Sequence, residues 1–151
     1  AEANHIEWRQ LVLLDSSGSS ALHTGEKVLG RHATAEGKQC VAAANLLDNE
    51  NVPRAMVTAF EQSYGHLAHR LITALEAGIT EGGEEGPVRS AGVKVVHAVS
   101  WPIVDLRVDW DDEPISKLRT IWKEYLPQIE PYLTRALNPE AAPSYGVPGD
   151  L

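Results

Sequence analysis

The chain is expected to fold as an α+β protein, and three features say so. Two short apolar runs flank a Gly-containing turn near the start, Gln10–Leu14 and Ser20–Thr24. A long block of helical periodicity occupies 49–78, and two further strand-like runs follow it, 90–96 and 103–110. Strands on both sides of a helical block do not alternate as βαβ units. The order therefore predicts antiparallel sheets with helices packed on them.

The first pair reads as a β-hairpin, because QLVLL is apolar and Ser16-Ser17-Gly18 supplies the turn. The stretch 25–37 is polar and reads as irregular. QCVAAA, Gln39 to Ala44, is a third strand of small residues, which suits close packing against a helix or another sheet.

In the helical block Asn51 stands where a cap is wanted and Pro53 suits a first turn. Val52, Met56, Ala59 and Phe60, then Leu67, Leu71, Ile72 and Leu75, recur at helical spacing, with Gly65 as a break between two helices or a bend. The acidic loop TEGGEEGP ends the block. Val93, Val95 and Val96 favour a fourth strand and IVDLRVDW a fifth, with Leu106, Val108 and Trp110 on one face and Arg107 and Asp109 on the other. Asp111, Asp112 and Pro114 open another helix with the stripe Ile115, Leu118, Ile121, Trp122 and Tyr125, and Pro127 interrupts it before 129–137. The tail from Asn138 is rich in proline and glycine and reads as an extended arm.

A net charge of −8 without a Lys/Arg cluster argues against nucleic acid as a partner. No apolar run is long enough for a membrane helix. The single Cys40 excludes an internal disulfide and fits a cytoplasmic location. No phosphate loop, G-x-S-x-G elbow, CxxC pair or dinucleotide fingerprint is present, so no cofactor is expected.

The element order and the residues at its joints resemble one family. The matching stretches are HTG at His23 to Gly25, AANLL around Asn45, VPRAMVTAFE from Val52, LAHRLITALEAG from Leu67, GGEEGPVRSAG from Gly82 and VDLRVDW from Val104. Together they resemble the Ntn-hydrolase-like family known as domain of unknown function 1028. The resemblance implies a four-layer α-β-β-α sandwich of antiparallel sheets, incomplete in this chain. Residues 1–137 would be the C-terminal part of one such domain and 138–151 a tail. It also implies an amide hydrolase whose nucleophile is an N-terminal Ser, Thr or Cys. Residue 1 is Ala, so an N-terminal segment or companion chain is expected to supply that group. A sandwich without its leading strands exposes apolar surface, so a companion or a homo-oligomer is expected.

The expected pocket residues are His23 and Thr24 at a strand end, Asn45 as a carbonyl-binding or oxyanion amide, Arg89 for a substrate carboxylate and Ser90 as a positioning hydroxyl. For each, the competing reading is a local turn or strand-start role. Asp105, Arg107 and Asp109 would form a polar ladder, between sheets or in solvent. Asp109, Asp111 and Asp112 lack the Gly and distal Glu of a calcium loop, and His66 and His69 lack a third ligand, so no metal is expected. The function expected is part of an Ntn-type amidohydrolase acting on a small amide or peptide-like substrate. The alternative is a non-catalytic ligand-binding or oligomerising protein on the same fold.

Overall fold

The computed structural model describes residues 3–147; Ala1, Glu2 and the tail residues 148–151 lie outside it, and so do the expectations that fall on them. Six strands make three two-stranded antiparallel sheets: β1 (Gln10–Leu14) with β2 (Ser20–Thr24), β3 (Ala33–Gly37) with β4 (Cys40–Ala44), and β5 (Ala91–Val95) with β6 (Val104–Val108). The helices are α1 (Val52–Gln62), α2 (Leu67–Thr80), α3 (Pro114–Tyr125) and α4 (Ile129–Leu137). The fold is thus mixed, with small antiparallel sheets and helices packed on them. No helix among the described residues is long and apolar enough to cross a membrane.

The β1–β2 hairpin lies face to face on β3–β4. At one end the Gln10 amide reaches the carbonyls of Ala33 and Ala44; at the other, Ser20 hydrogen-bonds to Glu36. The far face of β3–β4 packs on α1: a Cβ on Gly37 would collide with Val57 and Cys40. Ala35, on the same face, is buried. The close approach is made by these small residues of β3, whereas those of β4 are half-buried. The outer face of β1–β2, carrying Leu11 and Leu13, has no helix over it among the described residues and is exposed.

β3 corrects the sequence reading, which had 25–37 irregular. ATAEG holds no β-branched apolar residue, and its inward residues are Ala and Gly. Their small size is what α1 requires, and it erased the usual strand signal. Two smaller corrections concern ends. Asn51 occupies the cap position of α1 without a side-chain cap bond, while the Asn49 side chain accepts from its backbone N–H. In the tail, Pro139–Ala141 forms a single 3-10 turn where an arm was expected.

α1 and α2 meet at a corner built on Gly65, whose φ of 90° suits glycine. Arg70 closes the corner by donating to the Phe60 carbonyl and stacking on the Phe60 ring. Further along, Gly78 of α2 lets Met56 of α1 approach to where a Cβ would already be tight. The other side of α2 builds the main core. Ala68 and Ile72 pack with Val93 and Val95 of β5, Val104, Leu106 and Val108 of β6, Leu118 and Trp122 of α3, and Ile129 of α4. Strand β6 alternates buried and exposed, but it ends at Val108, so Trp110 leaves the inward face and stands exposed. Arg119 ties α3 to α2 through Glu76 and Thr73, at 2.7 and 2.9 Å.

His66 caps α2. Its Nδ1 accepts from the Ala68 N–H at 3.1 Å, and its ring rests on Trp122 at 4.9 Å. Burial lowers its pKa, and Glu130 of α4 opposes that without reversing it. A lowered folded-state pKa means that the unfolded chain takes up the proton first. The stability it contributes is present above about pH 6.5 and is lost as pH falls through that value and below. Protonation of Nδ1 also removes the cap, worth about 1 kcal/mol. We expect the urea midpoint to fall between neutral pH and pH 5.5, and His66→Asn, which caps without titrating, to remove part of that fall. An unchanged pH slope in the variant would show that His66 contributes nothing to it.

Candidate functional site

Alternation along β2 separates the first two candidates. Ser20, Leu22 and Thr24 face β3–β4, while Ala21 and His23 face outward. His23 is exposed and meets the Ile6 carbonyl through Nε2 at 3.1 Å. Thr24 points inward to Gln10, whose Nε2 lies 3.4 Å from the Thr24 hydroxyl, 3.4 Å from the Ala33 carbonyl and 3.3 Å from that of Ala44. One amide therefore joins the open ends of both hairpins. Gln10 was absent from the residues expected at the site. Its signal was available: it is the polar residue in an apolar strand, on the face that turns inward.

Asn45 follows Ala44 at this junction. Its Nδ2 donates to the Leu29 carbonyl at 3.4 Å. Leu46 beside it adopts φ 54°, a left-handed conformation that a leucine takes only when its surroundings hold it there. Three backbone bonds do so: Leu46 N–H to Leu29, Glu85 N–H to Leu46, and Asp48 N–H to Gly83. Leu47 is then buried to 1% exposure. The AANLL stretch is a pinned turn, and Asn45 is half-buried at its head.

The HTG stretch also has a packing cause. A Cβ on Gly25 would lie 2.3 Å from the carbonyl oxygen of Glu7, because residues 6–9 cross over the end of β2. Its N–H donates to Arg9.

Arg89 and Ser90 stand elsewhere, before β5. Arg89 is ion-paired with Asp112, its guanidinium is 5.8 Å from the Trp110 ring, and its carbonyl accepts from Asp111. It ties the start of β5 to the segment that opens α3. Ser90 is exposed, and no base hydrogen-bonds to it among the described residues. Among the described residues no hydrogen bond or ion pair links Arg89 or Ser90 to Thr24 or Asn45, so the expected residues fall into two groups, with His23 apart. Asp105, Arg107 and Asp109 are exposed. Lys94 pairs with Asp105 at 3.0 Å and Arg107 with Asp109 at 3.2 Å, on the solvent side of β5–β6. Such pairs contribute little to stability.

The histidines are occupied structurally: His66 as a cap, His69 by the Arg119 guanidinium at 2.8 Å from Nδ1. Among the described residues no three His, Cys, Asp or Glu side chains are placed to hold a metal. Two of the cavities among the described residues adjoin these groups. One of about 350 Å³ lies between the end of α2, the 82–88 loop and the start of α3, and holds Glu76, Glu84, Asp112 and Glu113. The other, about 560 Å³, is apolar and runs between β4 and β5 under α1 and α2. Cys40 lines it. Burial and the nearby Glu61 carboxylate raise the Cys40 pKa, which keeps the thiol protonated and poorly nucleophilic.

These features define a mixed α and β domain of small antiparallel sheets with helices packed on them. A family model, "Family of unknown function (DUF1028)", matches residues 1–118, and the chain belongs to that family. The match ends within α3. A crystal structure of protein SPO2555 from Silicibacter pomeroyi, of the same family, is similar with a TM-score of 0.71 and 30% sequence identity. The likeness covers 79% of this chain and 51% of that one, so this chain spans about half the length of the solved protein. No curated protein matches.

Gly25→Ala should destabilise the protein by about 1–3 kcal/mol, as overpacking does, whereas Ser90→Ala should stay within about 0.5 kcal/mol. Chemical unfolding of both variants measures this. A neutral Gly25→Ala would mean that the 6–9 crossing is not fixed.

Proposed function

We propose that this chain is part of an Ntn-type amidohydrolase acting on a small amide or peptide-like substrate, with its nucleophile supplied by an N-terminal segment or companion chain. The observation that carries the reading is the stack of two antiparallel hairpins, one backed by α1, with Gln10, Thr24 and Asn45 gathered at its open end. The family resemblance supplies the reaction class. The described residues hold polar groups suited to positioning a substrate, which fits a supporting half of a site.

In this reading Asn45 offers an amide donor to a developing oxyanion, and Gln10 fixes the junction beside it. Arg89 recognises a substrate carboxylate only by leaving Asp112, an exposed partner that is easily exchanged. A cytoplasmic setting fits the single, unpaired Cys40. One observation favours the alternative of an oligomerising protein: Leu11 and Leu13 expose 46% and 72% of their surface on the outer face of β1.

Intact-mass measurement with N-terminal sequencing of every purified band tests the proposal. A second polypeptide beginning with Ser, Thr or Cys supports it; one band beginning at Ala1 overturns the two-chain form. In an assembly that hydrolyses a small amide, Asn45→Ala should lower kcat by about 100-fold. Unchanged hydrolysis would remove Asn45 from the site.

A further inference from the structure

Strand β6 pairs with β5 along one edge, and among the described residues its other edge pairs with nothing. The main-chain N–H and C=O groups on that side are free to join a ladder. Two features say what joins it. The first is charge. On the solvent face of β5–β6, Asp105 lies opposite Lys94 and is ion-paired with it at 3.0 Å. Arg107 lies opposite Gly92, which offers no side chain. Its carboxylate is Asp109, two residues along the same chain, and both side chains are well exposed. Arg107 thus lacks the cross-strand partner that Asp105 has. The second feature is aromatic. Trp101 precedes β6 and Trp110 follows it, with 40% and 78% of their surfaces exposed. Tryptophan is enriched at interfaces between proteins, and here it flanks both ends of one free edge.

We infer that β6 is a dimerisation edge, to which a second copy of this chain adds its own β6 in antiparallel register centred on Leu106. The strand is self-complementary about that residue. A two-fold axis there sets Asp105 opposite Arg107 of the second copy, and Arg107 opposite the second copy's Asp105. Across the four strands the solvent face then reads Lys94, Asp105, Arg107 and Gly92, the last two from the second copy. The neighbouring row is the same in reverse. Each Arg107 gains its cross-strand carboxylate. On the inward face Leu106 meets Leu106, and Val104 meets Val108, so the apolar row continues. The same register brings the Trp110 end of each strand beside the Trp101 end of the other. A parallel copy would set Asp105 against Asp105 and Arg107 against Arg107, which like charges oppose. The product is a four-stranded sheet, better able to sustain itself than two separate hairpins. The inference does not rest on the proposed reaction, and it places self-association on β6, away from the exposed leucines of β1.

Sedimentation equilibrium of the whole chain tests this. We expect a dimer, with hydrogen exchange at 104–108 slowing as the protein concentration rises. Arg107→Asp sets carboxylates face to face at both symmetric positions, and Asp105→Arg sets guanidinium groups face to face. Each should weaken the dimer by about 10-fold or more. The two variants complement each other, so mixing them should give a heterodimer that regains most of the affinity. Both side chains are exposed, and recovery in the mixture shows that both variants are folded. Leu13→Asp, on the outer face of β1, should leave association unchanged. A monomer at every concentration, a dimer indifferent to both charge reversals, a mixture that gives no heterodimer, or a dimer lost in Leu13→Asp overturns the inference.

Discussion

Everything in this protein depends on one contact surface, the face-to-face seat of α2 against its neighbours. A two-stranded sheet is marginal on its own in water, and the described residues form three of them. What makes them one structure is that α2 lies between two groups of elements. On one side it holds α1, and through α1 the β3–β4 hairpin. On the other it presents Ala68 and Ile72, both fully buried, to β5, β6 and α3. Gly78 and Ala68 are small where the neighbours come closest. Among the described residues the sheets do not bond to each other by ladders; β3–β4 and β5–β6 share a helical layer, and β1–β2 stacks on β3–β4.

That arrangement explains the distribution of polar groups. The described residues include no buried polar or charged residue, so specificity is carried by bonds at the margins of the core. His66 caps α2 at the edge of Trp122, Arg70 closes the α1–α2 corner, and Arg119 clamps α3 with a bidentate grip on Glu76. Such groups set how elements are oriented more than how strongly they cohere. The residues with chemical potential lie away from this layer, at the open end of the stacked hairpins and before β5. A site assembled there is positioned by a rigid helical layer without disturbing it.

Local chemistry in the sequence exposed some of this and concealed the rest. The β1–β2 hairpin, the break at Gly65 and the proline-marked start of α3 were all legible, because a turn residue or a period stood in plain view. Strand β3 was not, since Ala33, Ala35 and Gly37 are chosen for the helix above them and not for the pleat. Asn45 stood out as a candidate through its neighbours, but the left-handed Leu46 beside it was invisible, because that conformation is held by Leu29, Gly83 and Glu85 from distant segments. The cavity between β4 and β5 was hidden for a similar reason: it is defined by which strands come together, and a linear pattern does not encode adjacency between strands separated by two helices.

If α2 is the shared layer, weakening it must loosen all its clients together. Native-state hydrogen exchange on Ile72→Ala measures this directly, since Ile72 is fully buried on the β5–β6 side of α2. Such a truncation costs about 2–5 kcal/mol. Protection should fall by the same free energy at β3–β4, which Ile72 does not touch through the main core, and at β5–β6, which it does. Loss confined to β5–β6, with β3–β4 as protected as before, would contradict the view that one helical layer makes these hairpins a single domain.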